Sequence, residues 1–188
     1  MTTQETQETT WLALLRGINV GGRNVIRMAQ LRECFESEGF RDVVTYIQSG
    51  NVVFRSAYCG PGALTARIEE MLAAEFDYGA RVALRSRDQM RTVVEGSPPG
   101  FGTQPDAYRY DVLFLMPSLT PNDAMEHVSV RPGVDEAWVG EGVLYFSRLI
   151  AKASRSHLSR IASMPVYQSM TIRNWRTTTR LLQLMEVD

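Results

Sequence analysis

Residues 46–54 read YIQSGNVVF, and the way this stretch folds decides the architecture. Two runs rich in β-branched and aromatic residues, 43–48 and 51–55, flank Ser49-Gly50. That pattern predicts a β-hairpin with a tight turn. Outward from it on both sides the periodicity becomes helical. Met28, Leu31 and Phe35 recur at helical spacing before Gly39, a residue suited to ending a helix. Leu64, Ile68, Met71, Leu72 and Phe76 mark a second amphipathic helix after the hairpin. One more short apolar run lies beyond each helix, WLALLR at 11–16 and RVALR at 81–85. The order β-α-β-β-α-β is that of a ferredoxin-like unit. Asp88 is then placed to cap a short helix carrying Met90, Val93 and Val94.

The pattern partly restarts after SPPGFGTQP, residues 97–105, the clearest linker in the chain. A strand over 110–116 precedes a helix over 120–128 opened by Thr120 and Pro121. A hairpin pairs 134–139 with 143–147, turning at 140–142. Helical stretches around 154–162 and from 174 to 185 follow, separated by Pro165. WVGEGVLYF at 138–146 aligns without gaps to YIQSGNVVF, with an aromatic first, Gly fifth and Phe last. Duplication of a β-α-β-β unit and chance likeness between two hairpins both account for this. The fold expected is α+β, two ferredoxin-like halves, the second incomplete, with C-terminal helices. Residues 1–10 would be a disordered polar tail, 11–96 the first half, 97–105 a linker and 106–188 the second half.

Composition narrows the function classes. With 188 residues, 44% hydrophobic and 22% charged, the chain can build a core without staples. Two cysteines, Cys34 and Cys59, are too few for a disulfide framework and read as free thiols. Two histidines without spaced partners argue against a zinc site, and no cofactor motif is present. Glu69-Glu70 and Asp135-Glu136 read as solvated carboxylates. No apolar run approaches the roughly 18 residues of a membrane span. The start of the chain lacks the features of a signal peptide, so the expected location is cytoplasmic. The net charge of −1 hides a segregation: residues 9–32 and 142–185 contain no acid, and the block between them carries 17 acids against 9 bases. Two basic ends make an anion-attracting surface if the fold unites them.

The candidate ligand residues fall in three short polar motifs. In LLRGINVGGRN, residues 14–24, a strand ends at Arg16 and a glycine-containing loop leads to a helix. Such a loop presents backbone N–H groups to an anion, with Arg16, Gly17, Asn19, Gly21, Gly22 and Asn24 as contacts. It matches neither the P-loop nor the dinucleotide fingerprint, and a tight turn needing positive φ accounts for it equally. Gln48, Ser49 and Asn51 form a polar tip between apolar strands. In TIRNWRT, residues 171–177, Arg173, Asn174, Trp175, Arg176 and Thr177 open the last helix. Arg173, Arg176 and Arg180 would then share one helical face, with Thr171 or Asn174 as the cap.

Those three motifs resemble the bacterial DUF1697 proteins, a family of unknown function, over roughly residues 11–184. The resemblance implies a compact protein of ferredoxin-like halves and supplies no activity, cofactor or catalytic residue. Two departures stand out. Where the family usually has a Lys-Leu pair, this chain has His157-Leu158, and Arg176 stands where the family often has Asn.

The functional expectation is binding of a small anionic or phosphate-bearing ligand, such as a nucleotide, by a monomer or homodimer. Arg16, Gly21, Gly22 and Asn24 would cradle the anion, Gln48 and Asn51 would read polar groups, and Arg173, Asn174 and Arg176 would close the site. Two alternatives stay open. One is single-stranded nucleic-acid binding with Tyr46 or Trp175 stacking on bases. The other is a purely structural role for all three motifs. An enzyme using Ser49 or Thr177 lacks an evident base.

Overall fold

The computed structural model describes residues 8–19, 25–57, 60–77 and 79–187. Gly21, Gly22, Asn24 and Cys59 therefore lie outside the described residues. The chain divides into two compact units, Met1–Asp88 with Gln183–Asp188, and Gln89–Leu182.

The first unit runs β1 (Thr9–Arg16), α1 (Met28–Ser37), β2 (Arg41–Tyr46), β3 (Asn51–Ser56), α2 (Pro61–Phe76) and β4 (Arg81–Ser86). Its antiparallel sheet has the order β2-β3-β1-β4, the ferredoxin-like arrangement. Because side chains alternate along a strand, each strand has a helix-facing set. Trp11, Ala13 and Leu15 of β1, Val52 and Phe54 of β3, and Val82 and Leu84 of β4 form a core with Leu31 and Phe35 of α1 and Leu64, Ile68 and Leu72 of α2. Phe54 anchors it, with ring centroids 4.8 Å from Phe40 and 5.3 Å from Phe35. The opposite face of the sheet carries Leu12, Leu14, Asn51, Val53, Ala83 and Arg85, also buried.

Cys34 of α1 is a buried free thiol. Burial, with Glu75 and Glu38 nearby, pushes its pKa from 9.0 up to about 11. Its ionisation opposes folding only as the pH rises from about 9 toward 11. In a Cys59→Ser variant, Cys34 is expected to resist a thiol reagent at pH 8 until the protein is denatured. Rapid native-state labelling would contradict this burial.

The second unit is built from α3 (Arg87–Glu95), most of which it contains, β5 (Tyr108–Leu115), α4 (Pro121–Glu126), β6 (Asp135–Gly140), β7 (Val143–Leu149), α5 (Leu158–Ile161), β8 (Met170–Asn174) and most of α6 (Trp175–Met185). Short 3-10 segments, Ile150–Arg155 and Pro165–Ser169, flank α5. The helical stretch expected over 154–162 is thus reduced to one α-helical turn beside 3-10 segments. As expected, Thr120 caps α4, accepting from the Asp123 N–H at 3.2 Å.

The sheet order β6-β7-β5-β8 repeats that of the first unit, so both halves are ferredoxin-like. One correction follows: the second half has its fourth strand. β8 occupies a stretch expected to be the opening of the last helix, and pairs antiparallel with β5 from Asp111↔Asn174 to Leu115↔Met170. Five residues suffice because β5 supplies the ladder.

The likeness of the two hairpins extends to strand register. Gly50 (φ +71°) and Gly142 (φ +67°) each precede the third strand of their half. Their carbonyls accept from Leu15 N at 2.8 Å and Leu115 N at 3.1 Å, at equivalent ends of β1 and β5. Phe54 and Phe146 are both buried at equivalent positions. The front of the gapless alignment does not hold. The first hairpin has a four-residue loop, 47–50, instead of a tight Ser-Gly turn, whereas Gly140 pairs with Val143 across a two-residue turn. Tyr46 and Trp138 are therefore not equivalent.

Asp135 is buried rather than solvated: its Oδ2 accepts from His157 N at 2.8 Å and Arg131 N at 3.1 Å. His157 is thereby placed by its backbone, with Nδ1 3.0 Å from Ser129 Oγ.

Candidate functional site

β1 carries Arg16 at its last position, directly opposite Arg81 of β4. Side chains of directly opposed residues project from the same face, and like charges there repel. Arg81 Nε lies 3.8 Å from Glu69 Oε1. The backbone then turns through Gly17 (φ +75°) and Asn19 (φ +53°). Asn19 is a clamp. Its Oδ1 accepts from Ile26 N at 2.9 Å, while Nδ2 donates to Ile26 O at 3.1 Å and to Gln48 O at 2.8 Å. One amide thus ties the two sides of the 17–26 loop to the hairpin tip. Two motifs separated by some thirty residues in sequence are one structural feature.

The hairpin loop positions the second group. Ile47 (φ +49°) and Gly50 (φ +71°) both occupy the left-handed region. Asn51 is fully buried, and its Nδ2 donates to Tyr46 O and Ser49 Oγ, each at 2.9 Å. It closes the loop as backbone does. Gln48 is exposed and Ser49 half-buried.

Arg85, absent from the sequence-derived candidates, belongs with these residues. Arg81, Ala83 and Arg85 share the face of β4 opposite α1 and α2, and Arg85 pairs with Leu12. It is 7% exposed, and its Nη1 donates to Leu84 O at 2.8 Å. Desolvation pushes its pKa down to about 10, so it remains charged at neutral pH. The alternation of arginine with Val82 and Leu84 was a usable signal that these arginines lie opposite the helix-packed core face.

In the second unit the TIRNWRT motif spans a strand-to-helix junction. Arg173 lies on β8 and is 7% exposed. Its Nη1 donates to Thr171 Oγ1 and Ile172 O, both at 2.8 Å. Burial pushes its pKa down to about 10, partly opposed by Tyr167. The expected row of three arginines on one helix face is corrected: Arg173 precedes the helix, and Arg176 and Arg180, neither of them buried, remain on it. Asn174 is the cap, its Oδ1 accepting from Thr177 N at 2.8 Å. Thr177 is buried, and Trp175 packs edge-on against Phe101 with centroids 5.2 Å apart. By register, Arg173 on β8 opposite Val112 is the counterpart of Arg85 on β4 opposite Leu12. Each half therefore places one buried arginine on its fourth strand, on the face opposite the core of the two flanking helices.

The family model described as "Protein of unknown function (DUF1697)" matches residues 9–145. The chain belongs to the DUF1697 family. Its fold is similar to that of a solved structure, the conserved bacterial protein SP0830 from Streptococcus pneumoniae, at 26% sequence identity and a TM-score of 0.84. That likeness covers 96% of this chain and 100% of the other. No curated protein sequence matches.

Within this DUF1697 chain, the first-unit motifs supply a rigid frame and a basic strand end. Asn19, Gly50 and Asn51 make the frame, and Arg16 with Arg81 makes the charge. Among the described residues no group of three or more His, Cys, Asp or Glu is arranged to hold a metal ion. No helix of the described chain is long and apolar enough to cross a membrane.

Proposed function

We propose that the first unit binds a small anionic, phosphate-bearing ligand at the strand end that carries Arg16. The observation that supports this is the direct opposition of Arg16 and Arg81 in the β1–β4 register. An anion at this strand end can take charge-assisted hydrogen bonds from both guanidinium groups. Gln48 and Ser49, held beside the loop by the Asn19 clamp, supply neutral donors and acceptors. In the second unit Arg176 is a basic contact for the same class of ligand, with Arg173 and Asn174 behind it.

A purely structural reading of the motifs draws its support from Asn19, whose amide hydrogens are both engaged by backbone carbonyls. It predicts that Asn19→Ala loses about 1–3 kcal/mol of stability and that no anion responds.

A thermal-melt titration with phosphate, pyrophosphate, nucleoside phosphates and short oligonucleotides, at low and high salt, separates these. Binding to the native state is expected to raise stability by roughly 2.7 kcal/mol at a hundredfold excess over Kd. Arg16→Ala and Arg81→Ala should each remove most of that rise. A compact ligand whose effect survives salt supports the proposal. A response to oligonucleotides alone, lost in salt, would replace it with nucleic-acid binding. No response, with Asn19→Ala strongly destabilised, would leave the structural role.

A further inference from the structure

The face of the second sheet opposite α4 and α5 carries a pocket whose lining residues lie outside the three motifs. Tyr110 of β5, Ser147 of β7 and Glu136 of β6 lie in one register row, and Tyr145 pairs with Trp138 in the next. Tyr108 stands two residues from Tyr110 on the same face. The Pro98-Pro99-Gly100-Phe101 segment and Gln104 close one side, leaving a cavity of about 210 Å³.

The construction is specific. Phe101 is buried, and its ring is held edge-on by Tyr110 at 4.8 Å, Tyr145 at 5.3 Å, Trp175 at 5.2 Å and Trp138 at 6.0 Å between centroids. Gly102, at φ +82°, lets the segment pass against Trp175, where an added Cβ would overlap the indole. Tyr145 is fixed by donating its hydroxyl to Val93 O at 2.7 Å. With Phe101 locked, Tyr108, Tyr110 and Trp138 remain half-buried as cavity walls. Glu136 lies exposed at the rim.

Aromatic walls offer negative ring faces, and a carboxylate on the rim adds a full charge. That combination favours a cation whose charge is spread over methyl groups, which sheds water cheaply and packs against aromatic rings in an open pocket with a polar rim. It disfavours the anion proposed for the first unit. We infer that this cavity is a binding site for a methylated ammonium group, with Trp138, Tyr108 and Tyr110 as walls and Glu136 as counter-charge. The inference rests on no part of the anion proposal, and either can fail alone.

The test is calorimetric titration of the full chain with choline, with its neutral isostere 3,3-dimethylbutan-1-ol, and with a trimethyllysine peptide. Choline is expected to bind saturably and the neutral isostere to bind at least about tenfold more weakly. Trp138→Ala should weaken choline binding by about tenfold. Glu136→Gln, at a rim position that leaves the ring packing intact, should weaken it by about threefold. Much tighter binding of the peptide would assign the methylated ammonium to a protein side chain; equal or weaker binding would assign it to a small molecule. Absence of saturable choline and peptide binding, or equal binding of the neutral isostere, overturns the inference.

Discussion

Gly50→Ala is expected to destabilise the first unit by about 2–5 kcal/mol. Two costs combine. The residue sits at φ +71°, where a side chain on an L-residue costs about 1–2 kcal/mol. Its added Cβ would also lie 2.6 Å from Ile18 Cδ1 and 2.9 Å from Leu15 Cβ, and both neighbours are buried. Overpacking of this kind costs about 1–3 kcal/mol. Gly39→Ala is the internal control. Gly39 has φ +86°, yet a Cβ added there would meet nothing within 4 Å, so the variant should lose only the backbone cost of about 1–2 kcal/mol. Urea unfolding of the two variants beside the parent measures the difference. Equal losses would mean that Ile18 and Leu15 yield freely, and that the hairpin tip is held less firmly than its geometry implies.

Phe54→Ala is expected to cost about 3–5 kcal/mol, comparable to the total stability of a marginal domain. Phe54 is fully buried in the Phe35–Phe40–Phe54 cluster, where α1, the turn after it and β3 meet. Removing the ring leaves a cavity bounded by α1 and the sheet, and helix and strands cannot both close on it. Phe54→Leu, which keeps most of the volume, should lose clearly less. The same pair of substitutions at Phe146, its register counterpart, tests whether the two halves share an energetic as well as a topological plan. A loss below about 1 kcal/mol for Phe54→Ala would contradict the packing of this cluster.

Much of the first unit was legible because local signals and tertiary pairing agree there. Helical spacing in α1 and α2 placed Leu31, Phe35, Leu64, Ile68 and Leu72 correctly in the core. The cap was legible as Thr171 or Asn174, and the structure selects Asn174, whose bond to Thr177 N spans only three residues. β8 was not. Met170–Asn174 is short, largely polar and followed directly by a helix, so its strand character comes from β5 alone. The same cause misplaced Arg173 on a helical face. For Asn19 and Asn51 the residue type announced a polar role, but their bonds to Gln48 O and Tyr46 O were not readable from spacing.

The sequence by itself determined the βαββαβ order of the first unit, the likeness of the two hairpins and the segregation of charge. Each of these is encoded in periodicity or in composition along a continuous stretch. Only the tertiary structure decided that the second half is complete. It alone buried Arg85 and Arg173 at equivalent positions, joined Asn19 to the hairpin tip and gathered Phe101, Tyr108, Tyr110, Glu136 and Trp138 around one cavity. Those outcomes depend on strand register, which brings residues dozens of positions apart to within a few ångströms and leaves no periodic trace in the chain.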